Sequence, residues 1–240
     1  MTSENLLREL LSRYGDLPGQ KALDAIERAI ARALENAFKI PFAVRLNSKL
    51  GIWMIPPNGA IEEFTERKLN KRLRRNIIFE IENELRVAQV LREYDNLQSL
   101  QGKVVPGVIR RISADGNVLV EMELTDLFER YILMGVCPLR FQPPHERKSY
   151  FLGETRMWYV TSVSPVAGHN HARVLVQLSR ATMQLPAILL STHSGIDKIK
   201  CIRRIPGGES HVVTHQRIPR EAITAVIKEL KENVRVQVLS

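Results

Sequence analysis

The residues of this sequence able to do chemistry are mostly cations, some of them set among aromatics. Arg67, Lys68, Lys71, Arg72, Arg74 and Arg75 crowd into nine positions. Clustered cations release counterions condensed on a phosphate backbone, so this run could meet RNA; a solvated helix face is the plainer alternative. A second group, Arg110, Arg111, Tyr131, Arg156, Trp158 and Arg173, combines guanidinium groups with rings on stretches that read as strands. Single-stranded RNA binds such surfaces by stacking its bases on aromatics beside a basic groove. Period-two alternation sets Arg156 and Trp158 on one face and Met157 and Tyr159 on the other, leaving open which face is core. A third group, Lys198, Lys200, Arg203 and Arg204, forms a basic strand that could track phosphates.

Catalytic and metal chemistry fare worse. His169-Asn170-His171 sits in a hairpin turn, not in the ββα setting with dispersed metal ligands that a nuclease of that lettering needs. His211 and His215 fall on one strand with Cys201 on its neighbour, but a zinc site needs a fourth ligand and none is at good spacing. Asp115, Glu121, Glu123 and Asp126 read as hairpin and surface residues, not as an acidic metal cluster. No Gly-rich phosphate loop, nucleophile elbow or paired catalytic carboxylates occur. The expectation is a binding protein, not an enzyme, with no cofactor and no metal.

At 240 residues the chain has room for two or three small domains. No apolar run approaches the ~20 residues that span a bilayer. The N-terminus lacks the basic start and apolar stretch of a signal peptide, and Cys137 and Cys201 suggest no disulfide framework, so a cytoplasmic location is expected. The net charge is +9, unevenly spread. Lys and Arg outnumber Asp and Glu by sixteen to fourteen over residues 1–100, nine to seven over 101–179, and ten to five over 180–240. A basic excess attracts polyanions, nucleic acid foremost.

The elements that must position these groups follow from periodicity. Helices are expected at 5–14 and 20–38, strands at 42–46 and 51–55, and a long helix at 66–94. From Gly102 the pattern changes to short strands, at 103–112, 118–122, 130–134, 155–163 and 174–179, with a hairpin at Ala114-Asp115-Gly116-Asn117. Five strands suit a small barrel of the OB kind. The last stretch reads helix (181–191), strand (198–204), turn, strand (211–215), helix (219–231) and strand (234–239), an α+β layer of KH type.

This order, with several local sequences, resembles the bacterial transcription elongation and termination factor family NusA from about Leu6 to Leu239. The best-matching stretch runs from Ala88-Gln89-Val90-Leu91-Arg92-Glu93-Tyr94-Asp95 into Gln101-Gly102-Lys103-Val104-Val105-Pro106-Gly107-Val108-Ile109-Arg110-Arg111-Ile112. Gly153-Glu154, Val176-Gln177-Leu178-Ser179-Arg180 and Arg204-Ile205-Pro206-Gly207 resemble further steps of the family in collinear order. The resemblance implies a multidomain α+β protein. Its parts would be an α/β N-terminal polymerase-docking domain (1–100), a five-stranded OB/S1-type barrel (101–180) and a small KH-like domain (181–240). It implies RNA polymerase and nascent RNA, single-stranded or hairpin, as partners. Three departures stand out. No second KH domain or acidic repeat precedes Ser240. Ile218-Pro219 passes straight into the next helix, without the helix and Gly-x-x-Gly loop that clamp RNA in KH domains. Residues 140–150 look inserted in the barrel.

Overall fold

The computed structural model describes residues 19–46, 50–57, 59–65, 69–126, 129–168 and 171–239, with main chain alone at 125–126 and 129–131. The expected helix at 5–14 lies outside them. The fold is mixed α+β and divides into two compact units. One holds the residues up to Asn96 with Pro165–Val174, the other Leu97–Ser164 with Leu175–Ser240. Among the described residues no helix is long and apolar enough to cross a membrane.

In the first unit, helix α1 (Gly19–Phe38) buries Ala22, Ala25, Ala29 and Ala33 along with Ile26, Ile30 and Leu34. This stripe of small and branched residues recurs every three or four positions, so it presents one close-packing face. It packs against β1 (Phe42–Leu46), first strand of an antiparallel meander with β2 (Leu50–Met54) and β3 (Glu62–Glu63). Helix α2 (Lys71–Leu97) adds Leu73, Ile77, Ile81 and Leu85 to the same core. The Asn70 side chain accepts the Leu73 N–H at 2.8 Å, an N-cap that starts α2 at Lys71.

The second unit opens with five strands closed into a barrel in the order β4-β5-β6-β8-β7. These are β4 (Val104–Ile112), β5 (Val118–Asp126), β6 (Glu129–Cys137), β7 (Thr155–Gly168) and β8 (His171–Ser179). Pairing is antiparallel except between β6 and β8. Val105, Ile109, Val118, Val120, Met122, Leu133, Trp158, Val160, Val176 and Leu178 fill the interior. Gly107 makes room for the largest of them. A Cβ there would collide with Val120 and stand 3.1 Å from the Trp158 ring.

The C-terminal layer follows in the α-β-β-α-β order read from the sequence: α3 (Gln184–Ser194), β9 (Lys200–Ile205), β10 (Glu209–Thr214), α4 (Arg220–Leu230) and β11 (Asn233–Val238). Its sheet has the order β11-β10-β9, with β10 and β11 parallel. Helix α3 starts three residues later than the periodicity suggests. The Arg180 and Ala181 N–H groups both donate to the Phe141 carbonyl, which holds the chain in a bend there. The layer is not packed apart from the barrel. Val104, Met157 and Tyr159 of the barrel pack against the core of Leu185, Leu189, Val212, Val226 and Leu230. The division expected between residues 180 and 181 therefore runs through a shared core.

Candidate nucleic-acid interface

Strand alternation and the position of distant carboxylates decide which cations can meet a ligand. Arg156 and Trp158 turn out to face inward. Trp158 is fully buried and donates its indole N–H to the Gly107 carbonyl at 3.1 Å. Arg156, 4% exposed, pairs with Glu146 at 2.9 Å and Glu154 at 2.8 Å and lies over the Tyr150 ring. Neither side chain is available to RNA. That corrects the expectation of a stacking surface at these two positions.

Residues 140–150 explain the enclosure of Arg156, because they carry Glu146. Its carboxylate is fully buried and accepts from Arg180 Nε and Nη2 (both 2.7 Å), Arg156 Nη1 (2.9 Å) and the Tyr150 hydroxyl (3.0 Å). Arg180, equally buried, also donates to the Met157 carbonyl, the Glu229 side chain and the Glu229 carbonyl. All five guanidinium N–H directions are thus used, and one side chain joins β7, the 140–150 segment and α4. Burial pushes the Glu146 carboxyl up. The Arg180 hydrogen bonds and charge, then the Arg156 charge and the Tyr150 hydroxyl, outweigh it and hold the group below its ordinary range. Nearby, burial pushes the Cys137 thiol up to about 12, which keeps it from acting as a thiolate at neutral pH.

The outer barrel face is electrically mixed. Arg110 sits at a β-bulge and makes a two-pronged pair with Glu121, at 2.9 and 2.7 Å, which holds the Glu121 carboxyl below its ordinary range. Arg111 is exposed. Across β5 and β6 the exposed Ile132 and Met134 stand opposite Glu123 and Glu121. Among the described side chains there, two arginines stand against two glutamates. Tyr131 lies on β6, but its side chain is outside the described set. Arg173 is exposed on the part of β8 that belongs to the first unit.

In the first unit Lys71, Arg72, Arg74 and Arg75 are exposed in the first turns of α2, while Leu73 and Ile77 point to the core. Arg67 and Lys68 lie outside the described residues. The spacing places no acidic residue three or four positions after any of the four, so no helical ion pair quenches them.

The C-terminal sheet is where cations gather on one face. Helices α3 and α4 cover Cys201, Val212, Val234 and Val236, so the alternate residues face away. A β-bulge at Ile202 resets the alternation of β9, because Cys201 pairs with Val212 and Arg203 with His211. Arg204 consequently points inward, 2% exposed, to a buried pair with Glu232 at 2.9 Å. Glu232 also accepts from the Ser210 hydroxyl and the Gly207 N–H. Arg204 is thus corrected from a phosphate contact to a strut. Arg203 and Lys200 point outward, and Lys198 is exposed just ahead of the strand.

Register adds two residues that the sequence pattern did not single out for RNA. His211 is paired with Arg203 on one side and with Arg235 on the other, a row across all three strands. The period-two pattern of 233–238 signals Arg235 as outward-facing, but nothing local puts it beside Arg203. His211 and Cys201 lie on opposite faces of the sheet, which removes the geometry for zinc. Among the described residues no group of three His, Cys, Asp or Glu could hold a metal. Arg203, Ile205, Glu209, His211 and Arg235 line a cavity of about 270 Å³ on the open face. Glu209 reaches His211 and stands 2.9 Å from Arg235 Nε, an ionic approach and not an aligned hydrogen bond. The chain matches no family model and no curated protein, so what it does has to be argued from this geometry.

Proposed function

We propose that the chain is a NusA-like, RNA-binding transcription factor that works by binding and not by covalent chemistry. Residues 1–100 would dock on RNA polymerase. The barrel, read as OB/S1-type, and the KH-like layer would engage nascent RNA and change pausing, termination or antitermination. The observation that carries this reading is the open face of the C-terminal sheet, where Lys200, Arg203 and Arg235 face outward and Glu209 pairs with Arg235 alone of the three. The collinear resemblance supports it, as does the succession of a five-stranded barrel and an α-β-β-α-β layer. The missing Gly-x-x-Gly loop argues that any RNA contact in this layer is made through charge.

The test uses the full chain, immobilised and offered nuclease-treated core RNA polymerase and, separately, labelled single-stranded and hairpin RNA. Capture of both is expected. RNA without polymerase would replace the transcription reading with a free-standing RNA-binding module, as in ribosome assembly or RNA decay. Capture of neither overturns both.

A further inference from the structure

We propose that the Arg203–His211–Arg235 row is a phosphate-binding site on the open face of the C-terminal sheet, taking a phosphate group of single-stranded RNA. The inference rests on the RNA-binding reading above and deepens it by locating the contact away from the helices.

The register places the three side chains side by side. Neighbouring strands lie about 4.8 Å apart, so the outer two guanidinium groups flank the imidazole at roughly 10 Å from each other. Like charges directly opposite one another on a sheet are destabilising, and the fold gains nothing from this row by packing, because all three project away from the helices. The only carboxylate lining the cavity, Glu209, contacts His211 and Arg235 and leaves Arg203 without an ion-pair partner among the described residues. Glu209 acts as an internal anion. It marks where an oxygen anion sits among these donors, and an incoming phosphate would take over His211 and Arg235 while adding Arg203.

The surroundings suit a nucleic acid. Planar guanidinium forks bind phosphate oxygens in pairs, and the charge assistance strengthens each bond. The next row along the sheet carries Lys200 opposite Val213, one pleat or about 7 Å away, so a second phosphate would meet a second cation. Ile202 and Ile205 are each more than half exposed beside the row and offer apolar contact to sugars or bases.

The experiment is an anisotropy titration of the full chain with a short single-stranded RNA labelled at its 3′ end, bearing a 5′-phosphate or a 5′-hydroxyl, at low and near-physiological salt. Arg203→Ala with Arg235→Ala should weaken binding by about tenfold or more. It should also flatten the slope of log K against log salt by about 0.7, the figure for one phosphate no longer neutralised on a single strand. Thermal melting should be unchanged, because both side chains are exposed. Glu209→Gln should tighten binding, and Glu221→Gln, an equal charge change on α4, should not. A 5′-phosphate advantage that vanishes in the double variant assigns the site to a terminal phosphate; equal binding of the two RNAs assigns it to the backbone. If wild type binds RNA and the double variant binds equally well, this site is wrong while the RNA reading stands. If wild type binds no RNA, or binds only a poly-glutamate competitor, the RNA reading itself fails.

Discussion

Arg203 and Arg204 are neighbours in the chain and opposites in role. Arg204 is enclosed, with its guanidinium on Glu232, as Arg180 is on Glu146 and Glu229. Arg203 stands on the open face beside His211, and Arg235 lies across from it. Arg204 and Arg180 share one property: a carboxylate delivered by a segment 28 to 49 residues away, Glu232 to Arg204 and Glu229 to Arg180. Among the described residues the open-face arginines receive no such partner beyond Glu209. An arginine thus becomes a strut or a hand according to what the rest of the chain brings to it. A buried pair contributes little net stability compared with an apolar equivalent, but breaking it strands a charge in a low-dielectric interior.

The largest expected effect follows from that asymmetry. Glu146→Ala leaves Arg180 and Arg156 without their shared carboxylate and should destabilise the barrel unit by about 3–5 kcal/mol. Arg203→Ala should stay within about 0.5 kcal/mol of wild type. Urea unfolding midpoints of the two variants measure the contrast, and equal shifts would erase the distinction between enclosed and open arginines.

Acid should act on the same side of the comparison. The folded Glu146 carboxyl ionises below its unfolded value of about 4.3. Its contribution to stability is therefore complete above that value and is lost as the pH falls through the lower folded one, since the unfolded chain takes up the proton first. The melting temperature of wild type should fall with acid more steeply than that of Glu146→Gln, which has no proton to gain. Parallel pH profiles would show that Glu146 is not the group titrating.

A smaller effect is expected at the edge of the network. Gly207 has φ +83°, and a Cβ there would overlap the His145 ring. Gly207→Ala should cost about 1–3 kcal/mol from the strained backbone. The steric part should recover when His145→Ala is added. A double variant no more stable than the single one would place the whole cost in the backbone.

Much of the architecture was legible in the residues. Strand β1 spans 42–46, as its alternation implies, and the Ala-Ile stripe of α1 runs over the expected length. Those signals are local: a period of two or of 3.6, closed by Gly or Pro. The site was legible only in part, because two facts that define it are not local. One is the bulge at Ile202, which exchanges the faces of Arg203 and Arg204; a one-residue slip in a strand inverts every following side chain. The other is the origin of partners. Nothing near Arg156 announces that residues 140–150, which look like a mere insertion, bring Glu146 into the interior. Arg235 carries no local signal for the same reason, since its neighbour Arg203 is 32 positions away in the chain and meets it only through β10.

The reach of Arg180 also sets an order of events during synthesis. Strand β8 ends at Ser179, so the barrel has all its strands once Arg180 has left the ribosome, and Glu146 is then already present. Glu229 follows 49 residues later, a delay of roughly 2–10 s at ordinary elongation rates. Through that interval a growing chain holds a barrel whose arginine still turns two donors to water. The arrival of α4 ends that exposure, so the network around Arg180 is completed only after every barrel strand has been made.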